Sequence, residues 1–297
     1  MAGQATWLEV ALNGPWPKRF QPNVPVTVGE IVADGIACAR AGASVIHVHA
    51  RDPETGRQRD DPELYAAIIE GIRAEEDVIV YPTIPIAGGP DSPDLGSGEE
   101  RYAHIRALAE RGLLEWSAAD PGSVNLVHER DLKKGRDGFV YLNPLAHLRT
   151  ALTLAARHGF HPSYAIYEPG FARLGAALAR ETPTLPVPVY RLMFADGYKF
   201  GFPPRESALA AYIDLLDEVA PGAPWMIAGL SVDIRPLIPM TVQRGGHVRV
   251  GLEDMGPGEA RGNSDLVLEA AELIAQAGGR VADAAEVRAA LAGNRAA

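Results

Sequence analysis

The sequence predicts an α/β fold, a (β/α)8 TIM barrel, on three observations. Short apolar or β-branched runs alternate with longer Ala-rich stretches of helical period, the pattern of βα units on a parallel sheet. Eight such units fit into the 297 residues. An open doubly wound sheet, the competing architecture, is expected to carry an early glycine-rich phosphate fingerprint, and this chain has none.

The elements follow in order. The first strand is read at Trp7–Asn13 and its helix at Thr27–Ala41, opened by a Thr27…Glu30 capping box. The second strand is Ser44–His49, with a helix from Pro62 to Ala74. The third is Val78–Thr83; a long Pro/Gly loop, Pro85–Gly98, leads to a helix at Glu99–Arg111. The fourth is Leu114–Ala118, with a further loop before a helix around Pro144–His158. The fifth is Ser163–Tyr167 with helix Phe171–Arg180, and the sixth is Val187–Phe194. A second long loop, Asp196–Pro204, precedes the helix Arg205–Val219. The seventh strand is Trp225–Leu230 with a short helix near Pro236–Arg244. The eighth is His247–Leu252, with helix Asn263–Gln276 and a small terminal helix at Ala284–Leu291. No linker or low-complexity tract interrupts this pattern, so residues 1–297 are expected to form one barrel domain with a short C-terminal helical extension.

Composition narrows the function classes. The chain is 47% hydrophobic and 22% charged, ordinary globular chemistry. A net charge of −10 disfavours nucleic acid and anionic membrane surfaces as partners. A single cysteine, Cys38, excludes an intramolecular disulfide framework and a Cys-rich zinc module. Met1 to Val10 has no basic region leading into a long apolar run, and nowhere do ~18 apolar residues run together. A soluble, cytoplasmic protein is expected.

In such a barrel, chemistry sits at the C-terminal strand ends and in the loops that follow. Strand side chains alternate between faces, so His47, His49 and Arg51 share one side while Ile46 and Val48 take the other, toward the helices. Two imidazoles two residues apart can converge on one divalent ion, though a pair of hydrogen-bonded polar histidines reads the same way. In the eighth strand Val248, Val250 and Leu252 face the helices, leaving His247, Arg249, Gly251 and Glu253 inward. Glu253 is then placed to supply a third, oxygen ligand, or else to cap a helix or pair with an arginine. Two His and one Glu would leave a coordination position open, as catalytic zinc sites do.

Arg249 is expected mid-barrel, where a charge is costly unless paired. The first strand closes against the eighth and turns Glu9, Ala11 and Asn13 inward, so an internal Glu9–Arg249 ion pair is expected. Its role is either structural or to hold and tune Asp254 as an acid/base group. Thr83 and Ser123 with Asn125 could bind a substrate carboxylate or carbonyl, or else cap helices; Asn13 and Arg51 are further substrate-binding candidates, and Lys199 with Arg205 could bind an anionic ligand from the second loop or else face solvent. Glu168 reads equally as a base or a helix cap. The chain has four lysines, Lys18, Lys133, Lys134 and Lys199, none inside an expected strand. A Schiff-base amine would therefore have to come from a loop, so metal-assisted carbon–carbon chemistry is preferred.

Together these residues resemble the β-keto acid cleavage enzymes. The landmarks span almost the whole chain: Leu12-Asn13-Gly14, Pro25-Val26-Thr27, Ala41-Gly42-Ala43, His47-Val48-His49-Ala50-Arg51-Asp52, Gly122-Ser123-Val124-Asn125, Trp225…Ala228-Gly229, the run from Gly245 to Asp254, and Ser264 beside Asn263. The resemblance implies a reaction of a β-keto acid with acetyl-CoA that yields acetoacetate and a new acyl-CoA. It implies zinc or another divalent metal on His47, His49 and Glu253, with Asp254 as general base modulated by Arg249. Thr83 is implied to help hold the substrate carboxylate, and the chain is implied to be a homo-oligomer. Departures bear on the substrate. Trp16 stands where the characterised family member has an acidic residue, and Glu9 is either its replacement or only the partner of Arg249. Ala118 replaces a threonine, and the loop after the sixth strand is bulky, with Tyr198, Phe200 and Phe202. With Trp16, these aromatics would suit an apolar or cationic acyl group. Two other readings remain: a metal-dependent barrel lyase or hydrolase acting without CoA, and a catalytically silent binding or scaffold barrel.

Overall fold

The computed structural model describes residues 4–89 and 96–293. Its strands are β1 (Gln4–Thr6), β2 (Leu8–Ala11), β3 (Val45–Val48), β4 (Ile79–Pro82), β5 (Trp116–Ala118), β6 (Val124–Leu126), β7 (Phe139–Tyr141), β8 (His161–Ile166), β9 (Val189–Phe194), β10 (Trp225–Gly229), β11 (His247–Val250) and β12 (Gly279–Val281). Eight of them form one parallel sheet in the order β4-β3-β2-β11-β10-β9-β8-β5. The end strands β4 and β5 carry no ladder between them, yet Tyr81 and Trp116 meet across that seam with ring centroids 5.8 Å apart. The barrel is nearly closed. The principal helices between its strands are α1 (Val28–Arg40), α2 (Pro62–Arg73), α3 (Gly98–Arg101) and α4 (Ala103–Glu110), α5 (Glu129–Leu132) and α6 (Leu145–His158), α7 (Pro169–Glu181), α8 (Glu206–Val219) and α9 (Ile238–Gln243). Beyond the last barrel strand come α10 (Asn263–Gln276) and α11 (Ala284–Gly293).

Local chemistry explains where these elements start and which side they bury. The capping box at α1 is present: Thr27 Oγ1 accepts from the Glu30 amide at 3.2 Å, and Glu30 Oε2 accepts from the Thr27 amide at 2.9 Å. The helix buries Ile31, Gly35 and Cys38, spaced for one face, against β3 and α2. Burial pushes the Cys38 thiol up, so it stays protonated as core filler.

Three features depart from the expected order. The helix foreseen at Glu99–Arg111 is broken into α3 and α4 at Tyr102, whose backbone (φ −100, ψ 17) leaves the helical region. The loop after β5 contains an antiparallel ribbon, β6 with β7, which encloses α5. A second small sheet joins β1 to β12, pairing Thr6 with Val281. Of the long loop Pro85–Gly98, residues 90–95 lie outside the described residues. The second long loop is tied down: Gly201 donates its amide to Glu168 Oε1 at 3.0 Å, and Phe200 is buried. Glu168 is thus a loop anchor.

Candidate functional site

His47 lies in β3 and His49 just past its end, with Ile46 and Val48 buried on the opposite face. The backbone after β11 swings Glu253 toward them. Glu253 Oε2 is 3.7 Å from His47 Nε2 and 3.5 Å from His49 Nε2. Two glycines permit this approach. Gly14 (φ +52) faces the Glu253 side chain, where an added Cβ would stand 2.6 Å from Cγ; at Gly251 (φ +137) a Cβ would stand 2.2 Å from Ala11 O. Trp16 donates its indole N–H to the Glu253 carbonyl at 2.6 Å, fixing the backbone that carries the carboxylate.

The three side chains have the marks of a metal site. Their ligand atoms all lie within 4.8 Å of one another. His49 Nε2, His47 Nδ1 and Glu253 Oε2 are buried without a hydrogen-bond partner among the described residues. Buried polar atoms left unpaired are costly, and one cation shared by this two-nitrogen, one-oxygen set would satisfy those aimed at it. Burial holds His47 well below the ordinary imidazole range, keeping it in the neutral form that ligates. Burial pushes Glu253 up, but Arg249 and the two histidines more than reverse this, so it stays ionised.

Arg249 is the hub of the buried charges. Its Nη1 donates to Glu9 Oε1 at 3.1 Å, its Nη2 to Glu253 Oε1 at 2.8 Å, and Nε and Nη2 clasp the two Asp254 oxygens at 2.9 and 2.7 Å. The Glu9–Arg249 pair read from strand alternation is therefore present, with both side chains buried. Glu9 Oε1 also accepts from Tyr81 Oη at 2.7 Å. Burial pushes Asp254 up to about 6 despite the guanidinium, and Glu253 and Glu9 add to this by crowding it with like charge.

These groups open onto a cavity of about 270 Å³, lined on one side by His47, His49, Glu253, Asp254, Arg249 and Thr83. Across it stand Asp120, Tyr141, Tyr167 and Arg191, while Trp16, Tyr198, Leu126 and Phe139 also contribute to the wall. Arg191 was not among the expected site residues. Arg191 had a signal in the sequence: it is the lone charge at an inward position of Val-Tyr-Arg-Leu-Met-Phe, in register with Met193, which also lines the cavity. Gln58, which contacts His49 Nδ1 at 3.0 Å, had none.

Several expected substrate-binding residues are engaged elsewhere. Asn13 clamps two backbones, donating to Pro25 O and His49 O and accepting from the His49 amide. Arg51 does not continue the inward set of β3, because the chain bends after His49 and pairs Arg51 with Gln58 in an antiparallel bridge. Its guanidinium is spent on the carbonyls of Gly14, Trp16 and Gly56. Ser123 accepts from the Asn143 amide, and Asn125 is exposed on the ribbon. Lys199 binds Glu129 and the Asp196 carbonyl at the surface. Of the bulky loop, Tyr198 reaches the cavity, whereas Phe200 packs on Tyr167 and Phe202 on Tyr212. His247 stacks on Trp7 at 3.9 Å, away from the metal-type cluster.

Comparison with known proteins bears on the fold and the family. The apo structure of ObcA superposes with a TM-score of 0.71 at 19% identity, covering 91% of this chain and 66% of that one, so this chain spans about two thirds of its length. The 3-oxoadipate:acetyl-CoA acetyltransferase of Cupriavidus necator is 29% identical over 290 residues, 96% of this chain and 93% of that protein. The 3-dehydrocarnitine:acetyl-CoA trimethylamine transferase of Rhizobium meliloti is 28% identical over 285 residues, 90% of this chain and 89% of that protein. The family model for the beta-keto acid cleavage enzyme matches residues 5–292. The chain belongs to the beta-keto acid cleavage enzyme family.

Proposed function

We propose that this chain is a single-domain, divalent-metal-dependent acyltransferase that converts a β-keto acid and acetyl-CoA into acetoacetate and a new acyl-CoA. The exchange balances: the bond between C2 and C3 of the β-keto acid breaks, its acyl group leaves on the CoA sulfur, and C2 with its carboxylate gains the acetyl group. The observation that carries the reading is the convergence of His47, His49 and Glu253 beside the Arg249–Asp254 pair in one cavity. Acetyl-CoA is supported by the names of both relatives.

His47, His49 and Glu253 would hold the ion, with zinc the favoured metal for this donor set. When bound, a divalent cation supplies Lewis-acid stabilisation of developing oxyanion charge. Asp254 moves the proton at C2. Arg249 grips both of its oxygens, which fixes the direction from which the carboxylate meets the substrate. Thr83 donates to the substrate carboxylate from β4's end, and Trp16, Leu126, Phe139 and Tyr198 exclude water around the acyl chain. Glu9 acts through Arg249 and Tyr81 as a positioning residue. No described helix is long and apolar enough to cross a membrane, and we place the working enzyme in the cytoplasm as a homo-oligomer.

The first test is metal content by elemental mass spectrometry on untagged wild type beside His49→Ala. About one divalent ion per chain, lost in the variant, is expected. A panel of β-keto acids with and without acetyl-CoA then follows. Turnover that needs acetyl-CoA supports the transferase; turnover without it would make the chain a lyase or hydrolase. A wild type that takes up no metal, even when zinc is supplied, overturns the reading.

A further inference from the structure

The cavity holds two buried arginines, and they are treated differently. Arg249 is clasped by Glu9, Glu253 and Asp254. Arg191, 4% exposed in the middle of β9, has a single hydrogen bond among the described residues, from Nη2 to Ser163 O at 3.3 Å. Its nearest acid is Asp120, whose Oδ1 stands 3.8 Å from Nη2, too far for a hydrogen bond. Asp120 is engaged elsewhere: Oδ2 accepts from Tyr141 Oη at 2.7 Å, and Oδ1 accepts from the Ala165 amide at 3.1 Å. The Nε of Arg191 is buried with no partner among the described residues. Glu9 and Asp120 therefore help to balance the charge without filling the donor fork.

A guanidinium taken from water with donors unfilled is costly, and its planar fork matches a carboxylate better than any other small group. Arg191 lines the same cavity as the metal-type cluster and Asp254. We propose that Arg191 is a carboxylate-binding residue of this cavity, the group that fixes an anionic end of the substrate by two parallel hydrogen bonds. The proposal rests on the cavity being the substrate site, and it does not require the metal. The carboxylate has two possible sources: the one every β-keto acid carries, and a second one at the far end of a dicarboxylic substrate.

Unreactive probes separate them. Glutarate carries a carboxylate at each end; glutaramate replaces one with an amide of the same shape. Binding of both is measured by calorimetry to metal-loaded wild type, Arg191→Met and Arg191→Lys. Arg191→Met is expected to weaken glutarate about tenfold to a hundredfold, with Arg191→Lys between, since an ammonium keeps the charge and loses the fork. A loss confined to glutarate assigns the far carboxylate, and an equal loss for both probes assigns the shared one. Should Arg191→Met leave Asp120 too poorly paired to fold, Arg191→Lys and the double variant Asp120→Asn/Arg191→Met carry the test. Unchanged affinities in a folded variant overturn the proposal, as does failure of both probes to bind wild type. Repeating the titration on His49→Ala, which is expected to hold no metal, keeps the two readings apart: glutarate binding there that still depends on Arg191 leaves this proposal standing even where the wild type proves to take up no metal.

Discussion

The Nδ1 of His49 lies 3.0 Å from Oε1 of Gln58, and the other end of that amide is already committed. Gln58 Nε2 donates to Asp60 Oδ1 at 2.8 Å and to Ile84 O at 3.1 Å. The oxygen of Gln58 must therefore face the imidazole, Nδ1 must carry the proton, and the lone pair of Nε2 is left pointing at Glu253. Removing the acceptor frees the tautomer. Gln58→Leu is expected to weaken zinc affinity about 10- to 100-fold while the fold persists. Competition with a chelating dye checks this, and wild-type affinity in the variant would deny Gln58 any part in setting the ligand.

Arg249 pairs with three carboxylates at once, those of Glu9 and Asp254 buried and that of Glu253 part-buried, so its loss strands all three together. Arg249→Ala is expected to cost about 3–5 kcal/mol of stability. Urea unfolding measures it, and a variant that unfolds at the wild-type midpoint would contradict the central role of the hub.

Asp254→Asn preserves size and one accepting oxygen but cannot take a proton. Metal content is expected to stay at the wild-type level while kcat falls by a factor of about 10² to 10⁴. An unchanged kcat would remove Asp254 from the proton transfer.

His247 gives a pH signature independent of catalysis. Burial against Trp7 pushes its imidazole down to about 3, and Nδ1 must stay unprotonated to accept from the Trp7 amide at 3.1 Å. Unfolded, the ring titrates near the ordinary value of about 6.5, so between these values the unfolded chain binds one more proton. The stability this group contributes is present above about pH 6.5 and is lost as pH falls toward 3. In His247→Asn, which keeps an acceptor, the stability difference between pH 7 and pH 5 should shrink by about 2 kcal/mol. Urea melts at the two pH values decide it; an identical pH slope in both proteins would assign the acid sensitivity elsewhere.

What was legible in the sequence is what alternation encodes. The eight barrel strands, the His47/His49 pair and the Glu9–Arg249 bridge all follow from knowing that every second strand residue shares a face. Closure of the barrel turns that local rule into a contact between residues far apart in the chain. What escaped lies where no period operates. The strands of the β6–β7 ribbon have three residues each, too few to alternate. Gln58 meets His49 only because the chain folds back after β3. Asn13 and Arg51 show the opposite error: a polar residue at a strand end is as useful to unpaired backbone as to a substrate, and here the backbone claims both. Arg191 was readable by the same reasoning that found Arg249, since each is a single charge on the inner face of an apolar strand.

The register of β2 has a consequence for how the chain is made. Its neighbours in the sheet are β3 and β11, and Glu9 waits for a partner 240 residues further on. Until β11 emerges from the ribosome, Trp7 lacks its imidazole acceptor and Glu9 its guanidinium, although the helices that cover the barrel are mostly synthesised. Insertion of the eighth strand thus completes a sheet whose other seven strands precede it in the chain. With contacts this distant along the sequence, refolding should be slow and late-committed, with most of the cooperativity gained in one final closure.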